Sequence, residues 1–267
     1  MRIVVKVGTS VIAPNGSLDA HRMRMLVDQL DLAKNEYLIV TSGAIAAGMT
    51  ELEIKRRPRS IPAMQACAAV GQCTLMQTYQ GLFFGKKHVA QLLLTSDDFL
   101  LPLRYRNLRN TLAELLRLGV LPIINENDSV SVRELVGAFG DNDELSALVA
   151  VSVEADWLIL LTNVDGFLGH NGTGNHKLVR AVRYVTQAME AECNGQSHLG
   201  RGGMRSKLRA ARLAAAAGIQ VAIANGSHPD VLRSAVERRT GTYFFPQRGT
   251  HNPWPPRLLS QVEPATN

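Results

Sequence analysis

The chain has 267 residues, 46% of them hydrophobic and 19% charged, a balance that excludes a disordered or fibrous polypeptide and suits one large core. Its formal charge of +6 admits an acidic partner, but only 5% of residues are aromatic and none is interleaved with a basic run, so a base-stacking nucleic-acid platform is not expected. Cys67, Cys73 and Cys193 form no CxxC pair and no metal spacing, and their odd number fits a reducing cytoplasm better than a disulfide framework.

Met1 leads directly into a strand-like run, with no basic leader or cleavage site before it, and no stretch is apolar enough to span a bilayer. In chain order, the patterning predicts a strand over 3–7, a helix over 21–34, a strand over 37–40 and a helix over 62–84. It continues with a strand over 89–94, a helix over 106–118, a strand over 120–124, a helix over 142–153 and a strand over 157–161. Helices over 184–193 and 203–217, a strand over 219–224 and a helix over 229–238 complete the series. Short apolar runs alternating with amphipathic ones mean strands covered on both faces. The expected fold is therefore α/β, a three-layer α/β/α sandwich with a mostly parallel central sheet.

Two stretches break the alternation. Residues 129–139 alternate polar and apolar, as a hairpin does, and 167–182 reads as a loop around Gly169, Gly172 and Gly174. From 246 onward Pro253, Pro255, Pro256 and Pro264 predict an irregular tail, leaving a domain over 1–245.

Open α/β sheets bind ligands beyond the carboxyl ends of their strands. There the chain places Lys6 and Gly8; Thr41, Ser42, Gly43 and Ala44; Asn125, Glu126, Asn127 and Asp128; and Thr162, Asn163 and Asp165. Gly8 and Gly43 suit backbone amides turned toward an anion, although either alone is also an ordinary turn glycine. Gly200, Arg201, Gly202, Gly203 and Met204 form a glycine-rich opening to a helix that carries Lys207 in its first turn, again suited to an anion. It has neither Walker A nor GxGxxG spacing. Arg205, Arg209 and Arg212 on that helix read as a solvated stripe.

Asp128, Asp141, Asp143 and Asp165 are the acidic candidates, sparse but sufficient for magnesium, which keeps water and phosphate as further ligands. One of residues 141–143 can equally be a helix cap, and Asp165 a turn residue. The seven histidines are scattered without metal spacing and no GxSxG elbow is present. Phosphoryl transfer to an ionised carboxylate needs no general base, only positioning and cations, which Lys6, Lys207 and magnesium can supply. The basic run Lys55, Arg56, Arg57 and Arg59 reads as a solvated loop, with an anion-attracting lid as the alternative, and Cys67 and Cys73 as core.

At these residues the chain resembles the amino-acid kinase family. The resemblance rests on Lys6, TSGAIAAG at 41–48, INEND at 124–128, FGDND at 139–143 and GGMRSK at 202–207, and runs from about Val4 to Phe244. It implies ATP and magnesium, and the motifs are similar to those of the members that phosphorylate the side-chain carboxylate of L-glutamate at the start of proline biosynthesis. By that resemblance Lys6 and Lys207 contact the ATP phosphates and Asp143 orients them. Ser42, Gly43, Ala44, Asp128 and Asn142 hold glutamate. Gly8, Thr162, Asn163, Arg201, Gly202, Gly203 and Met204 seat the nucleotide; a metal ligand set is not specified. The resemblance also implies a homo-oligomer, inhibition by proline and handover to a glutamyl phosphate reductase; from the scarcity of aromatics and of long apolar runs, neither nucleic acid nor membrane is expected as a partner.

Three departures stand out: Asn163 where the family commonly has aspartate, Arg201 where it has a small hydroxylic residue, and no room for an appended PUA domain. Family members acting on N-acetylglutamate, aspartate, carbamate or a nucleoside monophosphate, and a non-catalytic amino-acid sensor of the same fold, are the alternatives. Asp128 distinguishes the first, because an acetylated amine carries no charge.

Overall fold

A computed structural model describes residues 1–130, 142–170, 176–193 and 203–247. Strand β1 (Arg2–Val7) leads into a single helical turn, α1 (Thr9–Ile12), and then α2 (Ala20–Asp28), whose cap Asp19 accepts from the N–H groups of His21 and Arg22. The second half of the expected 21–34 helix is a set of turns, in which Asp31 accepts from the N–H of Lys34. Such short polar side chains compete with the helical hydrogen bond.

Next come β2 (Glu36–Thr41), α3 (Ala44–Glu51) and α4 (Ile61–Phe83). The sequence pattern misses α3, because its run of small apolar residues has no polar face to set a period. α3 and α4 meet backbone to backbone: a Cβ on Gly71 would lie 1.9 Å from the carbonyl oxygen of Ala44, and one on Gly48 1.8 Å from that of Cys67. This contact seats α4 beside the turn after β2. The connection between the two helices carries Lys55, Arg56, Arg57 and Arg59, the first three and Arg59 all exposed.

The chain continues through β3 (Val89–Leu94), α5 (Asp97–Leu100), α6 (Pro102–Arg117), β4 (Leu121–Glu126), α7 (Asn142–Ser152) and β5 (Trp157–Thr162). Then follow β6 (Leu168–His170), β7 (His176–Leu178), β8 (Ala181–Val182), α8 (Gln187–Glu192), α9 (Met204–Ala216), β9 (Gln220–Asn225), α10 (Val231–Val236) and β10 (Thr242–Phe244). The 167–182 stretch is thus not a plain loop: β6 and β7 pair antiparallel and β8 joins the main sheet. These strands are two or three residues long, too short to display an alternation. The expected 129–139 hairpin, beyond Val130, and the tail, beyond Gln247, lie outside the described residues.

The main sheet runs β3-β4-β2-β1-β5-β9-β10-β8, and its first six strands are all parallel. Only β10 runs antiparallel to β9. Alternate side chains feed two separate cores. Ile3, Val5 and Val7 pack with residues of α2, α4 and α10, while Val4 packs with residues of α6, α7 and α9. This is the three-layer sandwich. The two-residue period puts Lys6 on Val4's face, the face covered by α7 and α9. Among the described residues no helix is long and apolar enough to cross a membrane.

Candidate active site

The carboxyl end of β1 presents Lys6 to the amino-terminal turns of two helices. Asp143, in the first turn of α7, is fully buried, and its Oδ1 lies 2.7 Å from Lys6 Nζ. Lys207, in the first turn of α9, donates to Asp143 Oδ2 at 3.0 Å, and the Ser206 hydroxyl donates to the same oxygen at 2.7 Å. Ser146 closes the α7 turn by donating to the Asp143 carbonyl at 2.5 Å. Burial alone pushes the Asp143 carboxyl up, but the adjacent charges of Lys207 and Lys6, with hydrogen bonds from Lys6 and Ser206, hold it well below the usual carboxylate range. A cation in the first turn of α9 opposes the helix dipole. Its position is explained by the Asp143 carboxylate, not by helix stability.

Beside this cluster runs a chain of side-chain amides. Asn142 Nδ2 donates to Ser42 Oγ at 3.0 Å and to Asn125 Oδ1 at 3.1 Å, and Asn125 Nδ2 donates to Gln72 Oε1 at 2.9 Å. The direction of these bonds is set by one donor that cannot flip: the backbone N–H of Glu126 donates to Asn125 Oδ1 at 2.9 Å. With that oxygen fixed as acceptor, Asn142 must face it with nitrogen, and Asn125 must offer its own nitrogen to Gln72. Both N–H groups of the Asn142 amide are therefore used within the protein. Among the described residues its buried Oδ1 has no hydrogen-bond partner, and the same holds for Gln72 Nε2. Ser42 accepts from Asn142, which leaves its hydroxyl hydrogen for a bond elsewhere. Asp128, just beyond β4, is buried as well.

Gly43 adopts φ +102, which only glycine takes without strain, and lets the chain turn from Ser42 into Ala44 at the start of α3. Gly8 differs from expectation. Its backbone is extended at φ −75, and a Cβ there would meet only ordinary contacts, the nearest at 3.4 Å, so no backbone constraint demands glycine.

On the other side of Lys6, Thr162 at the end of β5 is buried, with its hydroxyl 3.5 Å from the exposed Asn163 amide oxygen. Gly203 caps α9 and Met204 begins it, both partly buried. Arg201, Gly202 and Asp141 lie outside the described residues. Asp165 is not drawn into the cluster: it stays exposed and accepts from Asn225 at 2.9 Å, with His228 3.4 Å away. Arg209 and Arg212 are more than a solvated stripe, since they lie 3.5 and 3.4 Å from the buried carboxylate of Glu190 on α8 and so pin that helix to α9. Cys67 is core, but Cys73 is exposed, because α4 turns that face outward. A cavity of about 470 Å³ opens at the opposite edge of the sheet, between Arg2, Tyr37, Lys87 and Asp156, remote from the lysine cluster.

Sequence reading missed Asn125 as a site residue, Ser206, Ser146 and Gln72. Asn125 was visible at a strand end; Gln72 had only the faint signal of a lone amide between Gly71 and Cys73 in an apolar helix.

The carboxyl edge of this parallel sheet holds two buried lysines on one carboxylate. The chain belongs to the amino acid kinase family, whose profile matches residues 1–225. Within it, the chain is similar to glutamate 5-kinases. The one from Clostridium acetobutylicum is 41% identical over 256 residues, covering 92% of this chain and 95% of that protein. The one from Geobacter sulfurreducens is 44% identical over 261 residues, covering 94% of this chain and 69% of that protein. Among solved structures, carbamate kinase from Giardia lamblia bound to AMP-PNP matches with a TM-score of 0.59 at 16% identity, over 92% of this chain and 98% of that one. UMP kinase from Bacillus anthracis matches with a TM-score of 0.58 at 16% identity, over 92% of this chain and 96% of that one. These two share the fold.

Proposed function

We propose that this kinase transfers the γ-phosphoryl group of ATP to the side-chain carboxylate of L-glutamate, giving glutamyl 5-phosphate for proline biosynthesis. The observation that carries the reading is the fixed polarity beside the lysines. Ser42 has a hydroxyl hydrogen for a carboxylate, and Asn142 offers a buried amide oxygen for an ammonium group. A free amino acid brings both. The similarity to glutamate 5-kinases supports the same substrate.

In this reading Ser42, Gly43, Ala44, Asp128 and Asn142 hold glutamate, with Asp128 balancing the ammonium charge. Its side-chain carboxylate is already ionised and attacks without a general base. Lys6 and Lys207 neutralise the charge on the moving phosphoryl group, held in place by Asp143. Gly8, Thr162, Asn163, Arg201, Gly202, Gly203 and Met204 seat the nucleotide. Magnesium bound with the nucleotide would supply further charge neutralisation beside Lys6 and Lys207. Among the described residues no group of three or more His, Cys, Asp or Glu side chains could cage a metal, and an ion held mainly by phosphate and water asks for none.

The kinase domain spans 1–245 in this proposal, and the protein works as a homo-oligomer that is inhibited by proline and hands its product to a reductase. The test of the activity is ADP release by purified protein with magnesium and ATP, with the acyl phosphate trapped as its hydroxamate. Glutamate-dependent turnover is expected. Glutamate-independent release, or faster turnover of N-acetylglutamate, overturns the assignment.

A further inference from the structure

α4 carries no charged side chain along its 23 residues, and its buried face is almost wholly apolar, with Met64, Cys67, Leu75, Leu82 and Phe83. Gln72 sits on that face, 8% exposed. Burying an amide is unfavourable unless it is hydrogen-bonded, and a methionine would fill the same space without that cost. Yet among the described residues Gln72 is engaged only through Oε1, by Asn125 Nδ2, while Nε2 has no partner. The amide is therefore poorly explained by packing. The contact of Gly71 with Ala44 places Gln72 beside the turn that carries Ser42.

Asn125 is held at three points: by Glu126 N–H and Asn142 Nδ2 on its oxygen and by Gln72 on its nitrogen. The Glu126 N–H sets which end of the Asn125 amide accepts. Gln72 engages the opposite end, adding a second contact that a flipped or displaced Asn125 amide would lose. With Asn125 locked, Asn142 keeps its nitrogen turned inward and its oxygen presented as acceptor. We infer that Gln72 is a positioning residue for the acceptor substrate, acting through Asn125 to hold the Asn142 amide in the orientation that receives the substrate's ammonium group. The inference rests on the reading of the site as an amino-acid site.

The experiment compares Gln72→Met with Gln72→Glu, measuring the KM of each substrate, kcat and Tm. Gln72→Met removes the acceptor at nearly constant volume; the expected result is a glutamate KM raised about tenfold, the effect of losing one buried hydrogen-bonded contact, with ATP KM and kcat within about twofold. Gln72→Glu keeps an acceptor toward Asn125 and is expected to recover most of that loss. In an Asn142→Ala background, Gln72→Met should add nothing further to the glutamate KM. An unchanged glutamate KM in folded Gln72→Met, equal changes in both substrates, or a Gln72→Glu protein as impaired as Gln72→Met overturns the inference. Should Gln72→Met fail to fold, Gln72→Asn, which shortens the reach but keeps the polarity, carries the same expectation. If the parent protein turns over another amino acid in place of glutamate, the substrate assignment fails, and the KM for that amino acid tests Gln72 in the same way.

Discussion

The ammonium of Lys6 lies 2.7 Å from the carboxylate of Asp143, with 4% and 0% of their side chains exposed. An ion pair this deeply buried is weak evidence for stability, since desolvation offsets much of the attraction, but breaking it is costly. Asp143 also holds Lys207, so its removal would leave two buried cations facing each other.

Asp143→Asn is therefore expected to destabilise the nucleotide-free protein by about 3–5 kcal/mol, the range for uncoupling a buried charge. Urea titration measures it. ATP should stabilise this variant more than the parent, because phosphate replaces the missing negative charge between the lysines.

The same carboxylate predicts a pH dependence. Its folded pKa is depressed, so its contribution is complete above the unfolded value of about 4 and is lost as the pH falls below that value toward the folded one. The parent should lose stability steeply below about pH 4, whereas Asp143→Asn, lacking the titrating group, should show a shallower loss. Denaturation midpoints across a pH series provide the comparison; identical slopes would remove Asp143 from the acid transition.

Replacing Lys6 or Lys207 by Met should lower kcat by about 10²–10³ while leaving the glutamate KM nearly unchanged, as expected for donors that act on charge developing in the transition state. Thermal melts accompany the kinetics, since a misfolded variant mimics an inactive one. Near-normal kcat in folded Lys207→Met would refute its catalytic role.

Asp128→Asn should raise the glutamate KM about tenfold or more and the ATP KM far less, because a charge-assisted contact is worth ~1.5–3 kcal/mol. Equal effects on both substrates would take Asp128 out of the acceptor site.

Gly71→Ala tests the architecture instead of the chemistry. Its Cβ would fall 1.9 Å from the Ala44 carbonyl oxygen, a backbone atom that cannot swing aside. Overpacking typically costs about 1–3 kcal/mol, and this variant should lie at or above the upper end. Because α3 follows Ser42 directly, the glutamate KM should rise with the loss of stability, and a Tm equal to the parent's would contradict the close helix contact.

Much of the fold is legible in the chain because hydrophobic period is a local property. The runs that form β1, β2, β3, β4, β5 and β9 are apolar enough to require cover on both faces, so the parallel three-layer arrangement follows from them. Lys6 and Lys207 are legible for the opposite reason, since each stands where local preference argues against it: at the end of an apolar strand, and in the first turn of a helix. What the sequence leaves open depends on contacts between distant elements. The antiparallel β10 and the edge strand β8 are too short to carry a period and form because their neighbours supply the ladder. Gln72 reads as one more polar residue of a helix until the backbone contact of Gly71 with Ala44 turns it inward, toward Asn125. The polarity of the Asn142 amide is decided by the fixed N–H of Glu126, two hydrogen bonds away through Asn125. Residue types and spacing thus gathered lysines, hydroxyls and amides at the carboxyl edge of the sheet, but which atoms of that cluster donate and which accept was decided only when the tertiary fold fixed the direction of its hydrogen bonds.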